Sequence, residues 1–174
     1  MPQSFACLHY HLIFSTKGRV PLLLGDLPDR LYAYVGGILR NENGALLAAG
    51  GMPDHVHLPV SLSRESSVSD VLRQVKSSSS RWIHETIPGL RGFAWQAGYA
   101  AFAVSYSHVG TVKQYIGTQA DHHRTVTFQE EYLAFLRRHD LEFESRSQGR
   151  QAPLAMDQCP SGADEIIPSR HLEA

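Results

Sequence analysis

His55 and His57 flank Val56 immediately after the turn-rich stretch Gly50-Gly51-Met52-Pro53-Asp54. Residues two apart in a strand point to the same face, so the two imidazoles stand side by side with Val56 packed behind them. An isolated His-x-His is more often a chance pair of strand histidines. The preceding turn places this pair at a strand's start, near a sheet rim, where a metal ion can be bound. A second group lies in Tyr115-Ile116-Gly117-Thr118-Gln119-Ala120-Asp121-His122-His123. On a helix, Tyr115, Gln119 and either His122 or His123 share one face, being four and then three or four residues apart. Tyr115 is a candidate nucleophile, and the Gln119 amide oxygen a candidate third metal ligand. Alone, such a trio describes a half-buried tyrosine beside solvated polar residues. Gly117 speaks against that reading, because glycine inside a helix costs about 1 kcal/mol relative to alanine and so predicts a close approach of sheet or ligand.

Two imidazoles and one amide oxygen suit a divalent ion that keeps open positions for water and a phosphate oxygen. With no cysteine in the set, magnesium or manganese fits, and imidazole ligation leans toward manganese. Such an ion acts as a Lewis acid on a phosphodiester. A tyrosine attacking that phosphodiester forms a linkage that a 3′-hydroxyl can later reverse, so the bond energy is conserved and no ATP is needed.

The elements that must position these groups follow from periodicity. Ala6 to Thr16 reads as a strand, with Leu8, Tyr10, Leu12 and Phe14 on one face and His9, His11 and Ile13 on the other. Asp26 is placed to cap a helix with Pro28 in its first turn and Leu31, Tyr34, Val35, Ile38 and Leu39 as its apolar stripe, ending at Gly44. Residues 45–49 and 56–62 read as short strands. Ser67 caps a second helix running to about Thr86, and the small serines 77–80 inside it imply close packing or approach of a ligand. Phe93 to Ser105 alternates as a fourth strand, and Gly110 to His123 reads as a third helix. Thr127-Phe128-Gln129-Glu130 is a capping box that opens a fourth helix, ending near His139. The order strand, helix, strand, strand, helix, strand is the split βαβ pattern. It predicts an α+β, ferredoxin-like antiparallel sheet with helices packed on one face, followed by a C-terminal helix carrying Tyr115. Pro59 interrupts the strand of the histidine pair and belongs at an edge or a bulge, or else distorts the site.

At 174 residues the chain suits one domain with its own core. We expect a domain over residues 1–143 and a flexible tail over 144–174, where Gln, Pro, Gly, Ser and Ala dominate without periodicity. No run approaches the roughly 18 apolar residues of a membrane span, and the N-terminus lacks the pattern of a signal peptide. A cytoplasmic protein with no membrane partner is the expectation. Cys7 and Cys159 lie too far apart in sequence to form a metal-type pair, which argues against disulfide and zinc–cysteine frameworks. The charge is uneven: 13 Lys and Arg face 11 Asp and Glu up to Asp140, and 3 face 6 beyond it. A mildly basic body with an acidic tail neither establishes nor excludes a DNA partner.

Together these residues resemble the single-tyrosine HUH transposases, the TnpA-like enzymes of small bacterial insertion sequences, whose histidine–hydrophobic–histidine triplet is matched by His55-Val56-His57. The likeness extends over His11-Leu12-Ile13-Phe14-Ser15-Thr16-Lys17, Gly51 to Leu58, Lys76 to Ile83, Trp95-Gln96-Ala97-Gly98-Tyr99, and Tyr115 with Gln119 and His122-His123-Arg124. It spans about residues 5 to 143, in the family's order. The resemblance implies a nucleophilic Tyr115, metal ligands His55, His57 and Gln119, and a covalent 5′-phosphotyrosine intermediate. It further implies hairpin-forming single-stranded DNA as substrate, and a homodimer in which each site joins the histidine pair of one subunit to the tyrosine helix of the other. Lys17, Arg19, Lys76, Arg81 and His123 are candidate DNA contacts, although isolated basic residues are more often plain solvated surface.

Two other readings compete, and a third, a plasmid or phage replication initiator using the same HUH chemistry, is disfavoured by the short chain and the absence of a helicase region. A host-domesticated HUH nuclease would process repeated hairpins without moving itself. A non-catalytic module would bind single-stranded nucleic acid by stacking bases on a ferredoxin-like sheet. Presence of both the histidine pair and the Tyr–Gln pair weighs against the second.

Overall fold

The computed structural model describes residues 5–117 and 128–138. Strand β1 (His9–Ser15) leads through a 3-10 turn at Lys17–Arg19 to helix α1 (Leu27–Asn41). Short strands β2 (Ala45–Leu46) and β3 (Gly50–Met52) precede β4 (His55–Ser61). Helix α2 (Val68–Thr86), strand β5 (Ala100–Ala103) and helix α3 (Val109–Gly117) follow. Helix α4 (Phe128–Arg138) belongs to a second compact unit, which begins at His122, and it buries Leu136. Phe128 is where the capping box expects a helix to open. The expected tail over 144–174 lies outside the described residues.

The sheet is antiparallel, in the order β2-β4-β1-β5 with β3 also paired to β4. This is the split βαβ arrangement that the element order predicts. Alternation along the strands separates two faces. Leu12, Phe14, Val56, Leu58 and Val60 point to one face and pack with Leu31, Val35 and Leu39 of α1 and Val71, Leu72, Val75 and Ile83 of α2. Their burial supplies most of the apolar area that holds the fold. The other face carries His11, Ile13, Ser15, His55 and His57, and α3 lies against β3 and β4 there. The predicted helices on one face are thus α1 and α2, with the tyrosine helix opposite.

Pro59 leaves the β1–β4 ladder intact, since seven consecutive pairs run from His9↔Ser61 to Ser15↔His55. The carbonyl of Pro59 accepts from the Leu47 amide at 2.9 Å. In a strand a residue's N and C=O point to the same side, so the missing donor faces β2–β3 and not β1. On that side residues 47–49 bulge between the pairs Leu46↔Val60 and Gly50↔His57. Pro59 is a bulge proline and does not distort the histidine strand.

Several local expectations need correction. The segment 93–105 is not one strand: only Ala100–Ala103 pairs along β1, with an isolated bridge between Thr16 and Trp95. The Lys76 ammonium donates to the carbonyls of Gln96, Ala97 and Gly98 at 2.5, 3.2 and 3.0 Å. The Gln96 amide still donates to the Ser15 carbonyl of β1, but the carbonyls of 96–98 are tied to α2. Trp95 meets Phe14 and Phe93 edge-on and donates from Nε1 to Ser79 Oγ at 2.9 Å. Ser79 is fully buried and in turn donates to the Val75 carbonyl. Close packing therefore accounts for the small side chain at 79. Ser67 caps α2 as expected, accepting from the Asp70 amide. Asp26 sits at the start of α1 without a side-chain cap and pairs with Arg30 instead. At the end of α1 the left-handed residue is Asn43, while the Gly44 amide donates to the Leu39 carbonyl.

Candidate active site

β4 opens on His55, so its first and third residues are the histidine pair. Alternation turns both rings to the face opposite the main core, where their centroids lie 5.1 Å apart. Both are buried, not at an open rim, at 1% and 0% exposure. β1 runs alongside and brings Ser15 opposite His55 and Ile13 opposite His57. His11, one step further along the same face, reaches His57 diagonally, with its Nε2 3.0 Å from His57 Nδ1. Burial pushes the His11 pKa down to about 4, so this ring is neutral.

His55 Nδ1 lies 2.7 Å from Asp54 Oδ1. Arg19 donates to the other carboxylate oxygen from Nε at 3.0 Å and Nη2 at 2.8 Å. Partial burial pulls the Asp54 pKa upward, but the hydrogen bonds and charges of His55 and Arg19 outweigh it and hold the group at about 2. Each histidine of the pair is therefore engaged through Nδ1. The Nε2 atoms of both are buried. No cluster of three or more His, Cys, Asp or Glu side chains forms a metal cage among the described residues. A set of two imidazoles and an amide would not form such a cluster.

α3 brings the tyrosine. Val112 and Ile116, both 3% exposed, pack with Val104 as a small second core, and Tyr115 borders it. Gly50 on β3 makes this seat possible, since a Cβ there would fall 2.6 Å from Ile116 Cγ2 and 3.0 Å from the Ile116 carbonyl oxygen. One residue before Ile116, the Tyr115 ring lies 6.4 Å from the His57 ring of the same chain, nearly perpendicular to it. Among the described residues nothing stands within 4 Å of where a Gly117 Cβ would be, so the close approach of sheet to helix occurs at Gly50.

The structure thus brings His55, His57 and Tyr115 together. Gln119 and His123, with His122 and Arg124, lie outside the described residues. Of the candidate DNA contacts, Lys17 and Arg81 are exposed. Arg19, also exposed, pairs with Asp54. Lys76 is tied to three carbonyls, and burial lowers its pKa to about 8. His11 and Asp54, the residues behind the pair, were not among the sequence candidates. The alternation of β1 put His11 on the right face, but the β1–β4 register that aims it at His57 leaves no local signal.

Known proteins resemble this chain in sequence and in fold. The family described as IS200-like transposase matches residues 4–119. The chain belongs to the IS200-like transposases. It is 29% identical over 119 residues to the ISDra2 transposase TnpA of Deinococcus radiodurans, covering 66% of this chain and 85% of that protein. The crystal structure of a Deinococcus radiodurans R1 protein assigned as a transposase superposes with a TM-score of 0.56 at 28% identity, covering 68% of this chain and 98% of that one. A REP-associated tyrosine transposase bound to a REP hairpin shares the fold, with a TM-score of 0.54 at 17% identity, covering 72% and 74%. This transposase has no helix among its described residues that is long and apolar enough to cross a membrane.

Proposed function

We propose that this transposase cleaves and rejoins single-stranded DNA at hairpin-bearing element ends, with Tyr115 as nucleophile. The observation that carries the reading is the Tyr115 ring set against His57, beside His55, on a buried sheet face. The Tyr115 phenol loses its proton and its oxygen attacks the scissile phosphorus. The P–O3′ bond breaks, leaving a 5′-phosphotyrosine and a 3′-hydroxyl that takes up a proton. Attack by another 3′-hydroxyl reverses the step and joins the strands. His55 and His57, with Gln119 as third ligand, would hold a magnesium or manganese ion. The donor set fits, because both Nδ1 atoms are occupied and both Nε2 atoms are sequestered from water. When bound, the ion supplies Lewis-acid polarisation of the phosphodiester. Exposed Lys17 and Arg81, together with His123, are proposed contacts to the DNA backbone, and the domain is taken to run over 1–143 in a cytoplasmic protein.

The family resemblance implies a homodimer with shared sites. In that assembly the α3 helix of each subunit would occupy the Gly50 seat of the other. A site within one chain is the second reading, favoured by the contact of Tyr115 with its own His57. Heterodimers of Tyr115→Phe and His57→Ala subunits decide between them, since a shared site leaves one intact centre and an in-chain site leaves none. Cleavage of labelled single-stranded DNA that is unchanged by excess chelator and by His57→Ala would refute the metal-assisted reading.

A further inference from the structure

Two imidazoles can donate to one ion through Nε2 only if each carries its proton on Nδ1. A partner that accepts from Nδ1 settles that tautomer and the ring's orientation. For His55 the partner is a carboxylate, Asp54, itself held by two donors from Arg19. For His57 it is a third imidazole, that of His11, 2% exposed on the neighbouring strand, with its Nε2 3.0 Å from His57 Nδ1 and ring centroids 5.1 Å apart. The strand register creates this contact, since His57 pairs with Ile13 and Pro59 pairs with His11, leaving His11 diagonal to His57 on one face.

We propose that His11 is a positioning residue whose Nε2 accepts the His57 Nδ1 proton and so presents His57 Nε2 as an electron-pair donor toward a divalent ion. The inference rests on the reading of His55 and His57 as metal ligands. His11 is not itself a third ligand through the same nitrogen, because a lone pair that accepts from His57 cannot also bind an ion. It also approaches His57 from the Nδ1 side of the ring, away from the donor atom. His57 thereby gains a neutral acceptor in a buried place, whereas the carboxylate behind His55 is neutralised by Arg19.

The test uses the full chain, metal-free and labelled with ¹⁵N-histidine, in long-range ¹H–¹⁵N spectra that report each ring's tautomer. The wild type is expected to show His57 protonated on Nδ1. His11→Phe, which keeps ring volume without an acceptor, should move His57 toward the Nε2–H form and leave His55 unchanged. His11→Gln, whose amide oxygen reaches a comparable position, should restore the wild-type pattern. His11→Leu is the second acceptor-free variant should the Phe variant not fold. Titration with Mn²⁺ alone should then show affinity reduced about 10- to 100-fold in the acceptor-free variants and largely recovered in His11→Gln. A wild-type His57 protonated on Nε2, or a tautomer or Mn²⁺ affinity unmoved by loss of the acceptor, overturns the proposal. Mn²⁺ binding by wild type that survives His57→Ala refutes the ligand reading separately, because the metal-free tautomer still reports on His11.

Discussion

Replacing Gly50 with alanine attacks the position of Tyr115 without touching a candidate catalytic group. The added Cβ would stand 2.6 Å from Ile116 Cγ2 and 3.0 Å from the Ile116 carbonyl oxygen. One obstacle is a branched side chain and the other is backbone, so helix α3 must lift or tilt. Its seat rests chiefly on Val112 and Ile116, each 3% exposed. Burying two such side chains is worth on the order of 3–6 kcal/mol. Overpacking of one methyl costs about 1–3 kcal/mol, a substantial part of that sum. If the seated helix is the active arrangement, cleavage should fall about five- to 150-fold. Unfolding should stay cooperative, with the melting temperature lower by a few degrees per kcal/mol, because the α1–α2 core lies on the opposite sheet face. The assay is single-turnover cleavage of labelled single-stranded DNA, with circular dichroism to follow folding. Ile116→Ala removes the first obstacle and leaves the carbonyl, so Gly50→Ala should slow cleavage less in the Ile116→Ala background than in wild type. Wild-type cleavage by Gly50→Ala would show that the β3 seat does not place the tyrosine.

Other outcomes follow from the same geometry. Pro59→Leu should leave cleavage unchanged, since the proline's missing donor faces the bulge; a gain in activity would show a strained strand. Lys76→Met should destabilise the protein by freeing the carbonyls of 96–98, while the salt dependence of DNA binding stays as in wild type. Lys17→Ala and Arg81→Ala should each lower the log–log salt slope by about one, and salt titrations of binding distinguish the two classes. His11, at about 4 in the folded protein against an ordinary 6.5, makes stability full above pH 6.5. As pH falls from 6.5 to 4 the unfolded chain takes up a proton that the folded chain refuses, which costs about 3 kcal/mol. Denaturant melts of His11→Gln should show that slope flattened.

The framework was legible because alternation and helical stripes are local. Leu12 and Phe14 against His11 and Ile13, and the α1 and α2 stripes, gave the two-faced sheet and the helices on its core side. The histidine pair on one strand face and Tyr115 on a helix were equally local. What escaped depended on contacts distant in sequence. Phe93 to Ser105 alternates like a strand, yet Lys76 ties 96–98 to α2. The partners that hold Arg19 and Lys76 in the fold, Asp54 and three backbone carbonyls, could not be foreseen from the sequence either. The glycine that admits the tyrosine helix is Gly50, on the strand beneath it, and not Gly117 on the helix itself.

The central claim is that Tyr115 attacks DNA, and covalent capture tests it most directly. Single-stranded DNA spanning the flanks of the coding sequence, labelled at its 3′ end, is incubated with protein and Mg²⁺ or Mn²⁺ and run on a denaturing gel. The 5′-phosphotyrosine keeps the downstream fragment, so wild type should carry the label as a protein–DNA adduct. Tyr115→Phe should bind the same DNA in a native gel and give no adduct. An adduct that persists in Tyr115→Phe would contradict the account.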